Sequence, residues 1–139
     1  MSVSGFKWSS RSLERLNGVD PSLRRVVDLA LDISPVDFMV LEGVRTAERQ
    51  KELYQAGKDN PDHRTTWTMD SYHLTGHAVD LAPVRNGEVD WEDYASFRAM
   101  GFAVLRAASI LGVNVTWGAI SPRGRLENPK RHASFSGAP

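Results

Sequence analysis

The chain has 139 residues, no cysteine, and 17 basic against 17 acidic side chains. That length suits one domain, residues 1–139, able to bury a core without cross-links. Without cysteine, disulfides, cysteine zinc fingers and iron–sulfur centres drop out, so any metal must be held by nitrogen and oxygen donors. The charges balance with no long run of one sign, which argues against nucleic acid as the main partner, because phosphate binding leaves a basic excess or stripe.

The segment from Met1 to Trp8 lacks an apolar stretch of signal-peptide length, and no segment is apolar enough to span a bilayer. The expectation is a chain that is cytoplasmic on synthesis and not inserted in a membrane. Asp20-Pro21 followed by Leu23, Val26, Val27, Ala30 and Leu31 predicts an N-capped helix ending near Ser34-Pro35. Phe38 to Leu41 reads as a short buried strand that delivers Glu42-Gly43-Val44-Arg45 at its end. From Thr46, a capping residue followed by helix formers predicts a helix closing on Gly57.

Residues 58 to 70 are polar without a period and read as a loop of the kind that borders a cleft. Ala78 to Val84 reads as a strand, and Asn86-Gly87 carries the signal of a tight hairpin turn. Phe97, Met100, Val104, Leu105 and Ala108 lie near one face of a helix predicted from Trp91 through Leu111 and stopped by Gly112. Val113 to Trp117 is the next strand. From Gly118 to Pro139 the chain is rich in proline, glycine and basic residues, and no element is assigned there. Helices beside a small mixed or antiparallel sheet make the fold class α+β.

The densest chemistry lies in Ser71-Tyr72-His73-Leu74-Thr75-Gly76-His77-Ala78-Val79-Asp80. His73 and Asp80 read as two ligands of one metal, whose donor atoms must each come within about 2 Å of the ion. They are seven positions apart, a span of roughly 23 Å in a strand and about 10 Å in a helix. The chain must therefore reverse between them, and Gly76 can take a positive φ at no steric cost. A rival pairing of His73 with His77 on one helix face lacks the glutamate of the His-Glu-x-x-His motif, since Leu74 follows His73. Thr75-Gly76 is also a poor helix interior, so His77 ranks as a neighbour of the site. A lone histidine in such a place would be read as an ordinary turn or surface residue; here two histidines and an aspartate converge on one glycine turn.

The pattern Ser71-x-His73-x-x-Gly76-x-Ala78-x-Asp80 resembles the signature of zinc D-alanyl-D-alanine carboxypeptidases of the VanY type and of phage endolysins that cut the L-alanyl-D-glutamate bond of peptidoglycan. Ser34-Pro35-Val36-Asp37-Phe38, Glu42-Gly43-Val44-Arg45-Thr46 and Glu48-Arg49-Gln50 extend the likeness upstream, so that it covers about residues 13 to 118. The resemblance implies a single Hedgehog/DD-peptidase-like domain. It also implies Zn2+ bound by His73 and Asp80, Ser71 holding the substrate backbone, and Arg45 steadying substrate and developing negative charge. Forked, permanent charge suits arginine to that task; without the motif Arg45 would read as a surface residue pairing with Glu42 or Glu48.

The family also requires a histidine near the C-terminus as third ligand, with an acid three residues before it as general base. Here Pro129 stands three residues before His132, and Glu127 five before. Three readings follow. His132 completes the site with Glu127 as base across a two-residue insertion; His77 or His63 supplies the third ligand; or the tail has diverged and leaves a site that binds zinc without hydrolysing anything. The leading expectation is a monomeric zinc peptidase of peptidoglycan stem peptide from phage lysis, acting on the wall after release. The alternatives are a catalytically impaired, metal-stabilised domain that binds cell-wall peptide or a partner, and a D-Ala-D-Ala carboxypeptidase. Nickel or cobalt would also suit nitrogen and oxygen donors.

Overall fold

The structure, a computed structural model, describes residues 5–43, 51–52, 54–56, 58, 76–119 and 134–137. Its elements in chain order are α1 (Ser10–Leu16), α2 (Pro21–Ile33), β1 (Phe38–Glu42), β2 (Ala78–Pro83), α3 (Tyr94–Leu111), β3 (Val115–Trp117) and β4 (Ser134–Gly137). The strands form a sheet in the order β1-β2-β4-β3, each neighbouring pair antiparallel. This is the expected α+β class with an antiparallel sheet.

Helix α2 starts where the sequence predicts. The Asp20 carboxylate accepts from the N–H groups of Ser22 and Leu23 at 3.1 and 3.2 Å, which satisfies donors that the first turn leaves without partners. Its buried face is Leu23, Val26, Val27, Ala30 and Leu31. Helix α3 begins at Tyr94, three residues later than the expected Trp91. Asp93 decides this by accepting from the Ser96 N–H and hydroxyl at 3.2 and 2.7 Å. Gly112, left-handed at φ 68°, ends α3 as expected. The helix predicted from Thr46 is present at Lys51, Glu52, Tyr54, Gln55, Ala56 and Lys58. Lys58 is still helical one residue past the expected stop, and its ammonium lies 4.6 Å over the Tyr54 ring.

Asn86 and Gly87 both have positive φ, 55° and 80°. Arg85 and Glu88 exchange backbone hydrogen bonds of 2.8 and 3.1 Å across them, so the Asn-Gly signal delivers a primed two-residue turn. Two elements were not legible. Helix α1 is only 7 residues long, too short for an apolar period to declare itself. Strand β4 lies in the tail that composition marks as irregular, yet it sits between β2 and β3 in the sheet.

Helices α2 and α3 pack on each other, and α3 packs on β2 and β3, so one sheet face is covered by helices. Val79, Phe135 and Trp117 form a cross-strand row on that face, all buried. The rings of Phe135 and Trp117 stack with centroids 5.7 Å apart. A Cβ at Gly101 of α3 would lie 2.3 Å from the Trp117 ring, so glycine is what lets the indole lie flat on the helix. At the outer edge of the sheet, Val40 of β1 gives its N–H to Ser12 Oγ at 3.1 Å and receives Arg15 Nη1 on its carbonyl at 2.8 Å. Helix α1 thereby satisfies an edge strand that would otherwise template another chain. Among the described residues no helix is long and apolar enough to cross a membrane.

Asp37, just before β1, has one carboxylate oxygen buried without a hydrogen-bond partner. Burial raises its pKa above the ordinary aspartate value, and a hydrogen bond from the Phe38 N–H partly offsets the rise. A raised folded-state pKa means that the protonated form favours folding. That contribution is complete below the unfolded pKa and is lost as pH rises through the folded one. Asp37→Asn is therefore expected to melt above the parent at pH 7, with the gap closing below about pH 4. Thermal melts at the two pH values check this, and a pH-independent gap would contradict it.

Candidate metal centre

The positive φ expected at Gly76 is present. Gly76 has φ 77°, and its carbonyl accepts from the Asp20 N–H at 2.9 Å. A Cβ there would stand 2.5 Å from the Gly18 carbonyl oxygen, so conformation and close backbone approach both require glycine. The turn is thus fastened to the N-terminus of α2, and β2 starts two residues later.

Side chains alternate along β2. His77, Val79 and Leu81 point toward the helices, whereas Ala78, Asp80 and Ala82 point to the other face. His77 is held there at both ends. Its carbonyl accepts from the Gly137 N–H at 2.8 Å, and its Nε2 lies 3.8 Å from Asp20 Oδ1. The same carboxylate caps α2, so His77 ties β2 to that helix on the side away from Asp80.

Asp80 is half-buried and has Glu42 of β1 as its cross-strand partner on one side and Ser134 of β4 on the other. The next row on the same face is Ala78, Ser136 and Thr116. Three chain segments therefore meet at Asp80: the end of β1, the start of β2 and the start of β4. Sequence reading assigned Glu42 no part in the site beyond pairing with Arg45. The signal was its place immediately before Gly43, but strand alternation alone would have put it on the core face.

Of the predicted set, Asp80 is the residue that the structure describes. Arg45, Ser71, His73, Glu127 and His132, with the alternative His63, lie outside the described residues. Among the described residues no three His, Cys, Asp or Glu side chains cluster as metal ligands. What is described fits a hard or borderline cation, because Asp80 offers carboxylate oxygen from a strand fixed on both sides and a second carboxylate stands opposite.

The family described as phage L-alanyl-D-glutamate peptidase matches residues 4–137. The chain is 35% identical over 117 residues to the L-alanyl-D-glutamate peptidase of Escherichia phage T5, covering 82% of this chain and 80% of that protein. It is 29% identical over 131 residues to the L-alanyl-D-glutamate peptidase of Listeria phage A118, covering 92% of this chain but 42% of that protein. The chain thus spans less than half of the Listeria phage relative. Among solved structures, the L-Ala D-Glu endopeptidase ChiX of Serratia marcescens superposes with a TM-score of 0.76 at 38% identity, over 94% of this chain and 89% of that one. The vancomycin-resistance D,D-pentapeptidase VanY, solved in complex with Zn(II), matches with a TM-score of 0.52 at 16% identity, over 96% and 74% of the two chains. That last likeness is one of fold.

Gly76→Ala should cost about 1–3 kcal/mol, because a side chain there combines a strained φ with a backbone collision. Gly87→Ala is the control: its φ is 80° but nothing lies within 4 Å of the added Cβ, so only the conformational strain applies. Urea denaturation of both variants measures the difference, and equal losses would show that the contact with Gly18 does not matter.

Proposed function

The chain belongs to the phage L-alanyl-D-glutamate peptidase family, and from that premise we propose that it hydrolyses the L-alanyl-D-glutamate bond of a peptidoglycan stem peptide at a zinc centre formed by His73, Asp80 and His132. The observation that supports this most is the pairing of Asp80 with Ser134. His132 is tethered two residues before Ser134, and two peptide steps span at most about 7 Å. The chain that follows the third ligand of this reading therefore enters the sheet opposite the second. In the same way Gly43 hands the chain from Glu42 toward Arg45, and Gly76 receives it from His73.

A bound zinc ion supplies Lewis acidity at the scissile carbonyl and lowers the pKa of water toward neutrality. The protein does the rest. Asp80 gives an oxygen donor from a strand paired on both sides, while His73 and His132 give imidazole nitrogens. Glu127 takes a proton from the attacking water and returns it to the amine of the departing D-glutamate. Arg45 faces the carbonyl oxygen as negative charge develops on it, and Ser71 aligns the substrate backbone. In this reading the protein works as a monomer, is made in the cytoplasm and meets its substrate in the wall after release.

One observation favours a second reading. Pro129 occupies the place, three residues before His132, where the resemblance calls for an acid. A chain lacking its proton acceptor would bind zinc and cell-wall peptide without turnover.

His73→Ala is expected to lose stoichiometric zinc and the lysis of purified cell walls together; lysis at the parent rate would sink the zinc reading. Glu127→Gln is expected to keep zinc while losing about 100- to 10,000-fold in rate. End-group analysis of the released peptides identifies the bond, with new D-glutamate amino termini expected.

A further inference from the structure

Resting on the roles given above to Arg45 and the metal ligands, we infer that Val19 is a positioning residue of the reaction, a spacer between α1 and α2 that holds the exit of β1 where the chain turns toward Arg45. Strand β1 ends at Glu42 and β2 starts at Ala78, and the stretch between them carries Arg45, Ser71 and His73. Its two described ends, Gly43 and Gly76, abut the same residue. A Cβ on Gly43 would stand 3.1 Å from Val19 Cγ2, and one on Gly76 would stand 3.4 Å from Val19 Cα. Val19 is 7% exposed and belongs to the core. Its N–H donates to the Leu16 carbonyl at 3.1 Å, which fixes the turn that carries it.

The two ends are held in different ways. Gly76 is held by backbone: the Asp20 N–H donates to its carbonyl at 2.9 Å, and its closest neighbours are the Gly18 carbonyl oxygen, the Asp20 nitrogen and Val19 Cα. A change in the Val19 side chain leaves all of these in place. Gly43 instead packs on the Val19 methyl and on the Arg15 carbonyl oxygen, with which a Cβ there would collide. The paired part of β1 ends just before it, at Glu42 opposite Asp80, after a register shift past Val40 in which Leu41 is the extra residue. Helix α1, the other wall of this contact, is itself fixed on β1 through Ser12 and Arg15. From Gly43 to Arg45 is two peptide steps, at most about 7 Å, so a shift of Gly43 is passed on with little slack, as close packing requires. The Val19 methyl therefore sets Arg45 against a metal side that is anchored independently.

Kinetics on a soluble stem peptide containing the L-alanyl-D-glutamate bond, zinc affinity by chelator competition and thermal melts test this. The variants are Val19→Ala, Val19→Ile, Gly43→Ala and, as control in the α2 core, Val27→Ala. Val19→Ala and Val27→Ala each take two methyl groups from a buried site and are expected to melt below the parent by similar amounts. Where all are folded, Val19→Ala is expected to lose about 10- to 100-fold in kcat, with KM and zinc affinity within about threefold of the parent, as for a misplaced group that acts in the transition state. Val27→Ala is expected to keep the parent kcat. So is Val19→Ile, which retains the Cγ2 methyl, whereas Gly43→Ala disturbs the contact from the other side and repeats the loss with zinc retained. On an Arg45→Ala background, Val19→Ala is expected to cost nothing further, because the two act as a unit. A parent-like kcat in Val19→Ala, an equal loss in Val27→Ala, or a loss that multiplies with that of Arg45→Ala overturns the inference. An Arg45→Ala protein as fast as the parent would instead overturn the role given to Arg45, and this inference with it.

Discussion

The hydrogen bond from the Asp20 N–H to the Gly76 carbonyl, 2.9 Å long, decides where β2 begins, and the faces of β2 decide the site. Side-chain direction in a strand has period two, so a slip of one residue would exchange the core set for the solvent set. Fastened where it is, the strand sends Val79 and Leu81 to the helix-covered face and Asp80 to the face it shares with Ala78 and Ala82. The close approach of Gly76 to Gly18 makes the fastening selective: no residue with a side chain occupies that position without moving the backbone of the turn before α2. Asp20 is engaged twice, capping α2 with its carboxylate and lying beside His77.

This double engagement fixes His77 on the α2 side of the sheet. His77 lies at the interface between β2 and α2, where its carbonyl also continues the ladder to Gly137. There it ties the strand carrying Asp80 to α2.

The C-terminal strand joins core and site. Phe135 stacks on Trp117 and faces Val79 in the buried row, while the residue before it, Ser134, pairs with Asp80. Burial of the aromatic pair therefore fixes the register of the segment that follows His132. At the opposite edge, α1 does the same for β1 through Ser12 and Arg15, and the bulge at Leu41 converts that fixed register into a carboxylate facing Asp80. A small sheet can place groups from three distant parts of the chain in one row because each strand is anchored on its helix-covered face.

Much of this is written locally and was legible in the chain. Asp20-Pro21 states where α2 starts, Gly112 where α3 stops, Asn86-Gly87 where the tight turn lies, and the ten residues from Ser71 to Asp80 announce their chemistry and family, because caps, turns and motif spacings act over a few residues. Tertiary structure decided the rest. That β4 forms from an unpromising tail, that α1 covers the sheet edge, that His77 turns toward α2, and that a bulge brings Glu42 against Asp80 all depend on contacts between residues far apart in sequence. Local propensity does not encode those contacts, since a short strand or helix is stable only once its partners have supplied the hydrogen bonds and buried surface that it lacks alone.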